Sequence, residues 1–433
     1  MLRPRLFISP LLLLLSTHVS AQLDLQGGDP KDSDACLSLS SVNELGFLSN
    51  GVDIWKNLNI DSILTNFVSG GLSQTWVKDF YLNEALTSDE AANAGDFDCT
   101  NENSPCVPVF GSCDKYQSAQ AMSITFALVN AHRLLSIQIK AYDEAVNIFS
   151  ADGNSVANDL FNHVSMGRDL GKFDVGAFFS GFEFGVELAL PALGGVFVDA
   201  LKAGLKKGLK TVVENAVESN FNLGDNPAKD PGPFIDSLRT AFKSNQDALR
   251  AVMAGYFNQG NTDPTLTSTP EDTVAYLQQG QFLAGFLTNG ATEASATTDA
   301  AHEIVKQAAA PIIAATWRAE GVKVILLPEA GCDPTNFAQG CQSGNGPCGP
   351  FDFVANQDQL GSVDGKNLCI GVGRGFDREA DANPKLQSFF MNPQDVLLNA
   401  AKCLVSGKNN DVPPAQTEDM ANGFPLCTFA LKS

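Results

Sequence analysis

Residues 118–149 read SAQAMSITFALVNAHRLLSIQIKAYDEAVNIF, and this stretch decides the fold. Ile124, Leu128, Ala131, Leu135, Ile139, Tyr142, Val146 and Phe149 recur at intervals of three and four residues, which puts them on one stripe of an α-helix. Met122, Phe126, Val129, Leu134 and Ile137 widen that stripe until most of the circumference is apolar, so the helix is expected to be buried. Asp152-Gly153-Asn154 is expected to end it.

On either side the pattern stays helical. Trp55, Leu58, Ile60, Ile63, Phe67, Trp76 and Phe80 suggest short helices resting on a core over residues 50–80. Further helices are expected over 234–257, 271–287, 298–320 with a break at Pro311, and 394–406 after Asn392-Pro393, with loops at 263–270 and 288–298. Residues 322–327, 351–354 and 368–372 read as strands. The fold class is therefore mainly α, with a helical central domain over 118–330 and a small disulfide-stapled α+β module over 331–433.

Ten cysteines flank the helical middle. Cys36, Cys99, Cys106 and Cys113 lie in an N-terminal region, 36–117, and Cys332, Cys341, Cys348, Cys369, Cys403 and Cys427 lie in the C-terminal module. Both groups are even, so each is expected to close internally into disulfides, with bridges joining the two groups as the alternative. Zinc sites place their ligands two to four residues apart, whereas gaps of six separate Cys99, Cys106 and Cys113 and gaps of eight and six separate Cys332, Cys341 and Cys348, so no metal site is expected.

Disulfides imply an oxidising compartment, and the first 21 residues agree with one. Arg3 and Arg5 precede the apolar run Leu11–Leu15, and Val19-Ser20-Ala21 offers the small residues a signal peptidase accepts. Residues 1–21 are read as a signal peptide and the polar stretch 22–35 as a flexible leader. The expected location is extracellular. The whole chain carries 28 Lys+Arg against 49 Asp+Glu, and removing residues 1–21 moves the formal charge from −21 to −23. Such a charge opposes polyphosphate, so a nucleic-acid partner is not expected.

Residues 174–218 stand apart. An apolar, Phe- and Gly-rich half with Glu183 and Glu187 as its only charges from 175 to 190 precedes Pro191. In a helix over 191–218, Val198, Leu201, Leu205, Leu209, Val212 and Ala216 fall within about 80° of one another, with Lys202, Lys206, Lys207 and Lys210 on the adjoining arc. The expected form is a buried hairpin in which Glu183 and Glu187 face Lys202 and Lys206. The alternative is a membrane or partner surface built on the four lysines.

Catalytic signals are sparse. The pentapeptide Gly-x-Ser-x-Gly is absent, and Ser343 in Gly340-Cys-Gln-Ser-Gly344 lacks its spacing. His132, His163 and His302 have no second histidine at ligand spacing and read as structural. Gly371-Val-Gly373-Arg-Gly375 reads as a strand-end turn rather than a dinucleotide loop, and Asp152, Asn154 and Asp159 lack calcium-loop order. No catalytic residue, cofactor or metal ligand is therefore assigned.

Trp55-x-x-Leu58-x-Ile60-Asp61, then Phe97-Asp98-Cys99-x6-Cys106-x6-Cys113 and the helix over 118–149, resemble a family of secreted, cysteine-containing fungal proteins of unknown function. The resemblance implies a secreted helical protein and brings no catalytic residue with it. The leading expectation is a secreted non-enzymatic protein acting at a cell surface, cell wall or host interface. A membrane-active, toxin-like protein using 174–218 is second, and an unrecognised secreted hydrolase is third.

Overall fold

The computed structural model describes residues 51–69, 75–162, 232–257, 277, 280–284, 292–319, 323–328, 353–355, 368–373, 386–406, 420–421, 424–425 and 429. Outside them lie the leader 1–35, the segment 174–218 with Lys202, Lys206, Lys207 and Lys210, and the residues His163, Ser343, Cys36, Cys332, Cys341, Cys348 and Cys427. Among the described residues the fold is mainly α-helical.

Helices α1 (Gly51–Asn57) and α2 (Ile60–Ser69) meet at Asn59, whose φ of 53° is the left-handed conformation that asparagine tolerates. Helix α3 (Trp76–Asp79) continues into a π-helical turn, Phe80–Ala85, and α4 (Ser88–Asn93) follows. These pieces are too short to be stable alone, so their burial holds them. Trp55, Ile60, Trp76, Phe80 and Tyr81 are buried in the common core.

The central element is α5, Ala119–Asn162. Its first turn is capped by Ser118, whose hydroxyl accepts from the Ala121 amide at 3.1 Å. From Ala121 to Ile139 every residue but Arg133 is buried, as an apolar circumference predicts. The hydroxyls of Ser123, Thr125 and Ser136 survive burial by donating to carbonyls one turn back, at 2.8, 2.9 and 2.9 Å.

Three helices pack on α5: α6 (Gly232–Phe257), α7 (Gln281–Ala284) and α8 (Glu293–Ala319). Polar ties fix the register. Gln246 donates to the Ile139 carbonyl at 2.9 Å, Asn130 to the Phe282 carbonyl at 2.7 Å, and the Trp76 indole to the Tyr256 carbonyl at 2.9 Å. Gln246 meets Ile139 while the His132 ring meets Phe257, so α6 runs antiparallel to α5.

Three expectations need correction. Asp152-Gly153-Asn154 does not end α5, which continues to Asn162. A glycine in a helix costs only about 1 kcal/mol relative to alanine, and extending a helix anchored over many turns needs no new nucleation. Helix α8 begins at Glu293, inside the expected loop 288–298. The cause is a reciprocal cap, in which the Ser295 amide donates to Thr292 Oγ1 at 3.1 Å and the Thr292 amide to Ser295 Oγ at 2.9 Å. Finally, α8 is not broken at Pro311. Ala308, Ala309 and Ala310 before it and Ile312, Ile313 and Ala314 after it are all buried. Burying two isoleucines, at about 1.5–3 kcal/mol each, outweighs the ~3 kcal/mol penalty of a mid-helix proline.

The C-terminal strands β1 (Lys323–Pro328), β2 (Phe353–Ala355) and β3 (Leu368–Gly373) pair antiparallel in the order β1-β3-β2, with Leu327 opposite Cys369. Helix α9 (Pro393–Val405) contacts these strands and opens with proline at its first position, where the missing amide costs nothing. Strands β4 (Met420–Ala421) and β5 (Phe424–Pro425) form a separate pair.

Candidate functional site

A polar constellation among the described residues lies where the loop 98–106 meets α5 and α6. The loop is built from short-range bonds. Asp98 Oδ1 accepts from the Thr100 amide at 2.8 Å and its hydroxyl at 2.6 Å, Asn101 Oδ1 accepts from the Asn103 amide at 2.9 Å, and a Cys99–Cys106 disulfide closes the ends. The other two described cysteines with side-chain information, Cys113 and Cys403, are also disulfide-bonded.

Charged side chains clamp this loop to the helices. Arg250 on α6 donates to Glu102 Oε1 through Nη2 at 2.8 Å and Nε at 3.1 Å, and its Nη1 reaches Asp247 Oδ1 at 3.2 Å. Burial alone would raise the Glu102 carboxyl, but the Arg250 hydrogen bonds and the charges of Arg250 and Lys140 outweigh it and hold it below the usual range. Its bond to Glu102 in turn raises Arg250. On the α8 side, Lys140 donates to Glu293 Oε1 at 2.9 Å, and Thr298 donates to Glu144 Oε1 at 2.8 Å. Burial lowers the Arg133 guanidinium, against the opposing charge of Glu293.

His132 sits beneath this lattice, 2% exposed. Its ring stands edge-on to Phe257 at 5.8 Å, its Nδ1 lies 3.5 Å from Ser136 Oγ, and the Asn101 backbone is beside it. Burial pushes its pKa down to about 4, with Lys140 adding to the effect, while Asn101, Glu293 and Asp98 oppose it.

A serine and a histidine in contact invite comparison with a nucleophile and its base, but the geometry argues otherwise. Ser136 Oγ donates to the His132 carbonyl at 2.9 Å, so its proton is committed to the helix and not to the imidazole. Both side chains are buried, at 2% exposure each, so no substrate carbonyl can approach. A histidine with a pKa near 4 is also a poor base at neutral pH.

The remaining sequence candidates fall elsewhere. His302 on α8 stacks on Phe390 at 3.7 Å, far along the chain from the loop 98–106. Gly371 and Gly373 lie within β3 opposite Ile325 and Lys323, so they are strand residues, and Gly375 lies outside the described residues. The backbone of Asp152, Asn154 and Asp159 belongs to α5 and is helical rather than a loop. Among the described residues no group of three or more His, Cys, Asp or Glu is placed to hold a metal, and no helix is long and apolar enough to cross a membrane.

Sequence reading missed Glu102, Arg250, Lys140 and Glu293. One signal was available: from Ser118 to Tyr142, Arg133 and Lys140 are the only full charges, seven residues apart and so on one face. Charges on an otherwise buried helix need partners from neighbouring elements. No protein-family model, curated protein or solved structure matches this chain.

Proposed function

We propose that the chain is a secreted, non-enzymatic protein that acts by binding at a cell surface, a cell wall or a host interface. The observation that carries this reading is the use made of the most enzyme-like side chains. His132 and Ser136 are buried under a disulfide-closed loop, and Glu102, Arg250, Lys140 and Glu293 tie that loop and α8 to α5 and α6. Chemistry-bearing groups are thus spent on assembly.

Secretion is supported by the leader pattern of residues 1–21 and by the bonded states of Cys99, Cys106, Cys113 and Cys403. The same reading includes a disulfide-stapled α+β module at 331–433, supported by the contacts of α9 with β2 and β3 and by the bonded Cys403. The strongly acidic chain favours a basic or neutral partner surface.

The test is production of the full chain in a secreting host. The expected product is found in the medium, begins at Gln22 and has no free thiol. Labelled protein should remain on intact cells or isolated walls through washing, while ester, peptide and glycoside substrates are left intact. Turnover of any of these substrates, abolished by a point substitution, would replace the reading with the hydrolase. Leakage of anionic vesicles, lost when Lys202, Lys206, Lys207 and Lys210 become glutamine, would replace it with membrane activity.

A further inference from the structure

The seam between α5 and α6 holds polar side chains with nothing to bond. Tyr142 Oη, Gln138 Nε2 and both Nδ2 and Oδ1 of Asn245 have no hydrogen-bond partner, although the three residues are 1%, 2% and 0% exposed. Tyr142 and Asn245 are neighbours across the seam. The Phe242 ring, one turn before Asn245, packs 5.4 Å from the Tyr142 ring, and the bond from Gln246 to the Ile139 carbonyl sets Asn245 level with the turn from Gln138 to Tyr142. Burial raises the Tyr142 hydroxyl strongly, and the adjacent Asn245 side chain opposes that rise without reaching hydrogen-bond geometry.

Protein interiors pair nearly all such groups, so four unpaired atoms in one seam require a cause. A direct bond is also missing between two side chains that lie side by side. What fits is a small molecule that both donates and accepts. The donor and acceptor inventory is two N–H groups and a carbonyl from Asn245, two N–H groups from Gln138, and a hydroxyl of either sense from Tyr142.

We infer that the α5–α6 seam is a binding site for ordered water, held between Tyr142, Asn245 and Gln138. Water accepts from the two amides and donates to Asn245 Oδ1 and Tyr142 Oη, which meets the two to four partners that buried water requires. All three side chains are neutral, so they give an ion of either sign no compensating charge, and the seam selects water. This internal solvent forms part of the packing between the central helix and α6, and it is independent of any surface through which the protein acts.

The test combines oxygen-17 relaxation dispersion, which counts long-lived internal waters, with a crystal structure at about 1.5 Å or better, where ordered water is visible. Wild-type protein should show solvent density within hydrogen-bond distance of Tyr142 Oη and Asn245. The variants Tyr142→Phe and Asn245→Leu should each lower the count of long-lived waters, and Tyr142→Phe should melt a few degrees lower because it removes a bonded hydroxyl. A direct Tyr142–Asn245 bond with no solvent peak would overturn the inference, as would an unchanged water count in both variants. So would a Tyr142→Phe protein that melts higher than wild type, the signature of a hydroxyl buried dry. Should either variant fail to fold, the wild-type density alone decides.

Discussion

Acidification should weaken this fold through His132, by an amount that its burial sets. In the native chain the imidazole titrates near pH 4, whereas an exposed histidine titrates near 6.5. The folded value is the lower one, so between these pH values the unfolded chain binds the proton and the native chain does not. Stability is full above about pH 6.5, falls as the pH drops towards 4, and loses nothing further from this group below that. At about 1.36 kcal/mol per pKa unit, the loss amounts to about 3 kcal/mol, a large part of the 5–15 kcal/mol typical of a native domain. The groups that act on the ring are Asp98 and Asn101 from the loop, Ser136 and Lys140 from α5, Phe257 from α6, and Glu293 from α8. Glu293 among them already pairs with Lys140 and Asp98 Oδ1 accepts two bonds from Thr100, and the pull of both on an imidazolium is outweighed by burial. Urea unfolding of wild type and His132→Gln at intervals from pH 7 to pH 4 measures the effect, since carboxylates common to both proteins cancel in the difference. The stability difference between them should change by about 3 kcal/mol across this range, in the direction that penalises wild type at acid pH. Parallel pH profiles would refute the argument and place His132 in contact with solvent or an anion.

Three other outcomes follow from the packing. Gly280 has φ +69° and an added Cβ would stand 2.6 Å from Trp55 Cγ, so Gly280→Ala should cost about 3 kcal/mol by denaturant unfolding, whereas Gly95→Ala, with open space around it, should be nearly neutral. Arg250→Met should speed amide hydrogen exchange over residues 98–104 while lowering global stability by only about 1 kcal/mol, because the ion pair is partly exposed to solvent. Phe390 ends a short helical turn at φ 58°, where the Met391 amide donates to the Leu386 carbonyl at 3.1 Å and the Phe390 amide to the Gln387 carbonyl at 3.0 Å, the capping arrangement that favours glycine. Phe390→Gly relieves about 1–2 kcal/mol of backbone strain and gives up a ring stack worth about 0.5–1.5 kcal/mol, so its melting temperature should match wild type, whereas Phe390→Ala keeps the strain and should melt lower.

The helices were legible in the sequence because their signal is periodic and local. The apolar stripe from Ile124 to Phe149 identified α5, and Asn392-Pro393 identified the start of α9. The boundaries that sequence reading missed were decided by burial or by a cap less familiar than Ser-x-x-Glu. Pro311 is held by the core around it, Asn154 by the length of helix behind it, and Glu293 by a Thr292–Ser295 exchange in a stretch whose Ser, Thr and Gly content reads as loop. The polar cluster was the least legible. Glu102, Arg250 and Glu293 come from segments about 150 and 40 residues apart in the chain, and no local pattern encodes a pairing that only the packing of α6 and α8 on α5 creates. His132 was read as structural from its isolation in sequence, and the structure buries it, while its depressed pKa depends on what covers it.

The proposed function requires His132 to be a buried packing residue and not a catalytic base. Site-resolved diethyl pyrocarbonate labelling of the native protein at pH 7, read by mass spectrometry against a urea-unfolded reference, tests that directly. The prediction is that His132 stays unmodified in the native chain and reacts at the reference rate only when unfolded. Modification of His132 at a rate near that of the unfolded reference, in protein that keeps its native circular dichroism, would contradict it.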